Sequence, residues 1–145
     1  MDELIVRTAE SPTDLDGLRA VRQRVFIDEQ HVSPEEEYDD LDDTALHAVA
    51  LIDDVIIGTA RLLSVDESTA RIGRMAVDEP WRRQGVGSVL LRYLENEARK
   101  QGHREVVLHA QLAAADFYRR YGYAPEGDVF LEANIEHVVM RKKVQ

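Results

Sequence analysis

Hydrophobic and polar positions along the chain fall into two rhythms, and their order predicts the elements. Leu4-Ile5-Val6-Arg7-Thr8-Ala9 is β-rich enough for a first strand. Ser11-Pro12-Thr13-Asp14 then reads as a helix start, with Ser11 as N-cap, Pro12 in the first turn and Asp14 near the positive end. Leu15, Leu18, Val21, Val25 and Phe26 share one face of that helix, which runs out near Glu29-Gln30-His31. Arg19, Arg22 and Arg24 fall mostly off the face. Leu46–Ile52 and Val55–Leu63 read as strands joined by a tight Asp53-Asp54 turn, an antiparallel hairpin. After the Asp66-Glu67-Ser68 turn, Thr69–Val77 is a further strand. A helix follows from Gly85 to about Gln101, with Val86, Val89, Leu90 and Leu94 inward, Glu95, Glu97, Arg99 and Lys100 outward, and Gly102 at its end. Glu105–His109 is the next strand, so a parallel βαβ crossover is expected. A short helix from near Leu112 closes at Gly122, and two strands, Val129–Leu131 and His137–Arg141, finish the chain.

The segment Arg82-Arg83-Gln84-Gly85-Val86-Gly87 joins a strand end, Met75-Ala76-Val77, to a helix start. A helix N-terminus offers unpaired N–H groups and partial positive charge. Glycine permits close backbone approach, and the arginines add forked donors. A phosphate or pyrophosphate fits such a turn; a plain glycine turn with surface arginines is the competing reading. The spacing is neither a P-loop nor G-x-G-x-x-G.

This stretch resembles motif A of the GCN5-related N-acetyltransferases (GNAT), and three further runs extend the resemblance to an ElaA-like branch. They are Phe26-Ile27-Asp28-Glu29-Gln30 with the acidic segment after it and Asp42 to His47, Leu108-His109-Ala110-Gln111 through Phe117-Tyr118-Arg119-Arg120-Tyr121-Gly122-Tyr123, and Val129 to Met140. Asn134 stands where the branch usually has glycine, and asparagine tolerates positive φ. The resemblance implies a mixed central β-sheet flanked by helices, an α/β fold. It also implies a splayed strand pair binding acetyl-CoA through Met75, Ala76, Val77, Arg82, Arg83, Gln84, Gly85, Val86, Gly87 and Ser88, with Gln111 and Tyr118 further along. It makes Tyr118 the general acid for the leaving thiolate; an aromatic core residue is the alternative. A Val77 or Ala76 N–H would polarise the thioester carbonyl.

Charge and composition narrow the rest. The chain has 145 residues and a net charge of −10, which disfavours nucleic acid or an anionic membrane as partner and suits a cationic amine. Acidic surface for solubility alone also explains the charge, and is the simpler reading. The same two readings apply to Ser33–Asp43, with Glu35, Glu36, Glu37, Asp39, Asp40, Asp42 and Asp43: a solvated loop or an electrostatic collar. There is no cysteine, no long apolar run, and no basic leader at Met1-Asp2-Glu3-Leu4, so one cytoplasmic domain over residues 1–145 is expected. Glu29, His47, His109, Glu132 and His137 are candidate bases, with His47 and His137 favoured because histidine titrates near working pH. No close-spaced ligand pair suggests a metal. The expected activity is acetyl transfer from acetyl-CoA to a primary amine, the alternative a non-catalytic acyl-CoA-binding module. A homodimer through the C-terminal strands would suit the superfamily.

Overall fold

In the computed structural model, which describes residues 3–145, a seven-stranded sheet runs in the order β1-β2-β3-β4-β5-β7-β6. Met1 and Asp2, half of the N-terminal segment read above, lie outside the described residues. The strands are β1 (Leu4–Thr8), β2 (Leu46–Ile52), β3 (Val55–Ser64), β4 (Thr69–Val77), β5 (Glu105–Gln111), β6 (Ala124–Glu132) and β7 (Ile135–Lys143). The helices are α1 (Pro12–Arg22), α2 (Pro34–Glu37), α3 (Val86–Lys100) and α4 (Ala115–Arg120). Only β4 and β5 are parallel, joined by the α3 crossover; every other neighbouring pair is antiparallel. This is the mixed sheet that the sequence predicts.

The turn residues behave as their chemistry requires. Ser11 Oγ accepts from Asp14 N and caps α1. Asp53 and Asp54 take φ of 50° and 64°, the left-handed pair of a two-residue hairpin. Ala133 and Asn134 do the same between β6 and β7, at 51° and 62°. The main core lies between the sheet and α3, where Leu90, Leu91 and Leu94 meet Ile72, Val106 and Met140. The other face carries α1 through Leu18, Val21 and Val49.

Four sequence expectations change here. First, α1 ends at Arg22 and continues as a π-helical segment, Gln23–Glu29, which widens the turn toward the cleft described below. Second, Arg22 is buried at 1% exposure, because Glu37 and Asp42 follow it inward. Third, Glu95 is also buried, bound by the Tyr123 hydroxyl (2.7 Å) and Lys142 Nζ (3.1 Å), while Val89 faces solvent. Fourth, the acidic segment is no solvated coil: α2 and a 3₁₀ turn over Asp40–Asp43 fold it against the sheet.

Candidate active site

β4 and β5 pair over three residues only, Thr69↔Glu105 to Arg71↔Val107, although β4 runs on to Val77 and β5 to Gln111. Beyond Arg71 the two strands part, and a wedge opens in the sheet. On its β3 side, β4 carries an extra residue: between the pairs Arg61↔Gly73 and Thr59↔Ala76, Ala60 alone opposes Arg74 and Met75, and Arg74 takes φ of 52°. This is a bulge of the kind that re-aims strand groups beside sites. Asp78 N donates to Ile57 O on the β3 side. Strand alternation therefore turns Val77, and Met75 two residues back, toward the open wedge.

Just beyond the wedge, Arg83 (φ 63°) and Gly85 (φ 86°) turn the chain into α3. No side chain caps that helix, so its first N–H groups point outward beside the wedge. Arg82 shapes the turn: its Nε donates to Val77 O (2.8 Å) and its Nη2 pairs with Glu29 (2.8 Å). Glu29 is thereby committed to the turn. Gln84 donates to Pro80 O and Ser88 Oγ to Gly85 O, so both also hold the loop in form. Gly87 faces Phe117 and Met75, where a Cβ would lie 3.5 Å from the Phe117 ring. Gly58 runs beneath, and a Cβ there would crowd Val86 and the Ala76 carbonyl at 3.2 and 3.3 Å.

On the far side of the wedge Tyr118, from α4, stacks edge-on to Phe117 and Tyr123, with ring centroids 5.0 and 5.9 Å away. Its hydroxyl lies 3.8 Å from Met75 Sδ. Burial pushes this phenol up to about 12, so it stays protonated through the physiological range.

A cleft of about 370 Å³ reaches from Tyr118 and Met75 across the α1 side of the sheet. The π-helical segment, α2 and the β6–β7 turn wall it in. His137, His109 and Glu132 meet there: Glu132 Oε1 is 3.1 Å from His109 Nδ1, and Oε2 is 3.6 Å from His137 Nε2. Phe130 separates the two imidazoles, at centroid distances of 5.3 and 5.9 Å. His137 Nδ1 lies 2.7 Å from the Ile135 carbonyl and so carries the proton, leaving Nε2 as the basic nitrogen. The neighbouring His109, His137 and Arg71 hold the Glu132 carboxyl below its usual range, against the effect of its burial. Gln111 reaches the opposite wall and donates to Gln30 Oε1 (2.9 Å).

His47 does not join this group. It lies buried under the acidic segment, with Nε2 3.0 Å from the Asp42 carbonyl, and does not line the cleft. Sequence reasoning also missed the arginines on the cleft floor, Arg61, Arg71 and Arg74. Arg71 had a readable signal, since it and Gly73 interrupt a strand whose Ala70 and Ile72 are buried on the other face. Arg74 had none, because its placement depends on the bulge. Glu37 and Asp39 complete the floor. Arg61 holds Asp39 in two bonds (2.7 and 2.9 Å) and keeps its carboxyl at about 2, whereas burial pushes Glu37 up.

A parted parallel pair, an uncapped helix start at its mouth and a protonated tyrosine on its far side have the chemistry to receive an acyl-thioester carrier. The sequence model of the acetyltransferase (GNAT) domain family matches residues 8–144. The chain belongs to the GNAT acetyltransferases. Among its relatives, YyaT of Bacillus subtilis is 32% identical over 142 residues, covering 96% of this chain and 95% of its own. Escherichia coli ElaA is 30% identical over 138 residues, 92% of this chain and 90% of its own. Its crystal structure superposes with a TM-score of 0.84, covering 99% of this chain and 100% of ElaA, at 28% identity. The crystal structure of an acyl-CoA N-acyltransferase from Pseudomonas aeruginosa superposes with a TM-score of 0.83 at 30% identity, covering 98% and 99% of the two chains. The GNAT acetyltransferase is thus an acyl-transfer enzyme of the ElaA-like branch, and the resemblance seen in the motifs holds across the chain. No helix among the described residues is long and apolar enough to cross a membrane.

Proposed function

We propose that residues 1–145 act as one N-acetyltransferase unit that moves an acetyl group from acetyl-CoA to a primary amine. The observation that carries this reading is the parting of β4 and β5 after Arg71↔Val107, with Tyr118 and the start of α3 on its rim. Acetyl-CoA supplies the activated acyl group. The N–H groups of Val86, Gly87 and Ser88, with Arg83, receive its pyrophosphate, and Arg82 and Gln84 hold that loop in shape. The Val77 and Met75 edges bind the pantetheine arm and polarise the carbonyl.

His137 Nε2 takes the proton from the incoming amine, and Glu132 stabilises the resulting imidazolium. A bond forms between the amine nitrogen and the acetyl carbon as the carbon–sulfur bond breaks. The departing thiolate takes the Tyr118 proton. A phenol at about 12 is a weak acid, and its buried position shields that step from water. His47 takes no part, because it does not line the cleft.

Isothermal titration with acetyl-CoA tests the first half. Saturable binding to the wild-type protein, lost in a Gly85→Trp variant, supports the anion turn; absence of binding by the wild-type protein overturns the reading. Turnover of an amine library tests the second half, since an acyl-CoA-binding module would bind without turnover.

A further inference from the structure

Of the three arginines on the cleft floor, two are closed by carboxylates. Arg61 is closed by Asp39 and, at 2.8 Å, by Asp42. Arg74 meets Glu37 and Asp39, each at 3.2 Å. Arg71 differs. Its Nη2 lies 3.1 Å from His109 Nδ1, and its contact with a carboxylate is a loose 4.0 Å to Glu132 Oε1. That same Glu132 oxygen is 3.1 Å from the same His109 nitrogen. One ring nitrogen cannot serve both. If it accepts from Arg71 it has no proton for Glu132, and if it donates to Glu132 it has no lone pair for Arg71. In either tautomer the guanidinium fork lacks a bidentate carboxylate partner, and at most one of its N–H groups meets the imidazole. Its side chain is 28% exposed, toward the cleft that Tyr118 also lines. Burial disfavours its charge, which is the state of a cation awaiting an anion.

Resting on the acyl-transfer reading above, we infer that Arg71 receives the carboxylate of the acceptor, and that the acceptor class is a linear ω-amino carboxylate. A guanidinium fork matches a carboxylate in two parallel bonds. Arg71 stands at the vertex of the wedge, opposite Val107, and leans forward to His109, which the parallel register sets level with Gly73. From that level to Met75 is two residues, at most roughly 7 Å at the rise of a strand, since the bulge at Arg74 shortens the step. A carboxylate on Arg71 therefore leaves room for a chain of up to about five carbons before its amine reaches the tyrosine. Such a molecule is a zwitterion with no net charge, so the protein's −10 does not repel it.

The test is steady-state release of coenzyme A thiol with two acceptor series. One is 4-aminobutanoate, 5-aminopentanoate and 6-aminohexanoate; the other is the n-alkylamines of matching length. The expected result is about ten- to hundred-fold higher kcat/KM for the carboxylates, carried mainly by KM. Methyl esters of the same acids are expected to fall to the alkylamine level, a readout that needs no variant. Arg71→Gln should collapse the ratio between the series, and Arg71→Lys should restore part of it. Equal kcat/KM for the two series, or a ratio that survives both esterification and Arg71→Gln, overturns the inference while leaving acyl transfer intact. Failure of the wild-type protein to bind acetyl-CoA overturns both together.

Discussion

Tyr118 owes its state to its neighbours. Phe117, Tyr123 and Met75 surround the ring and provide no cation to favour the phenolate, so burial alone sets its protonation. Removing the hydroxyl in Tyr118→Phe should lower kcat by about 10²–10³-fold while coenzyme A affinity stays within about twofold, since the proton is needed only as the thiolate leaves. The same shift has a cost in alkali. The folded-state value lies above the unfolded one near 10, so the neutral phenol's contribution is complete below pH 10 and disappears as pH rises through about 12. Two units correspond to about 3 kcal/mol. Chemical denaturation from pH 9 to 12 should show the wild-type protein losing more stability than Tyr118→Phe. A parallel loss in the two proteins would mean that the hydroxyl is better solvated than its surroundings imply.

Among the elements, the acidic segment is the one most altered by folding. Composition alone makes Ser33–Asp43 a polar loop, and its local capping signals are real: Ser33 Oγ accepts from Glu36 N and Asp39 from Leu41 N. What composition could not supply is the set of distant cations. Arg22 Nε donates to Glu37 at 2.6 Å, Arg61 to Asp39 and Asp42, and Arg74 to Glu37, across separations of 15 to 37 residues. Such pairs have no period to detect, whereas β1 to β5 and α3 were readable to within two residues; β6, read as Val129–Leu131, begins at Ala124, because its mostly exposed first half carries no apolar run. The same limit explains the histidines. His47 and His137 look alike in the chain, and only the sheet decides that His137 faces Glu132 while His47 lies under the acidic segment. Because Arg22 is buried, Glu37→Gln should destabilise the protein by about 3 kcal/mol in urea. Acid tests the same clamp. Asp39 is held at about 2, below its usual value, so its contribution is present above pH 4 and fades as pH falls through 2. Allowing for solvent screening, it amounts to about 1–2 kcal/mol, and Asp39→Asn should flatten the stability profile in that window. Glu37, pushed up by burial, works in the opposite direction and so does not explain that slope.

At the scale of the molecule, charge and site pull against each other. A net charge of −10 repels an anionic carrier at long range, while Arg83 and the α3 terminus attract it only close by. Salt therefore has a readable sign. Raising ionic strength from about 0.01 to 0.15 M, which shrinks the screening length from ~30 to ~8 Å, should speed acetyl-CoA association in stopped-flow measurements. A rate that falls with salt would place the dominant field at the turn itself.

The three-rung seam between β4 and β5 also divides the molecule mechanically. On one side stand β1 to β4 with α1, on the other β5, β7 and β6. Besides the seam and α3, the second group is fastened by side-chain ties, Tyr123 and Lys142 on Glu95, Arg99 on the Val144 carbonyl, and across the wedge Gln111 on Gln30 and Arg71 on His109. The C-terminal strands are thus the natural unit to open first, and their amides should exchange with deuterium ahead of those in β2 and β3. Gly102, at φ 88° with open space around it, marks where the chain could be cut. Two fragments divided there should reassemble on mixing, and a filled wedge would rivet them.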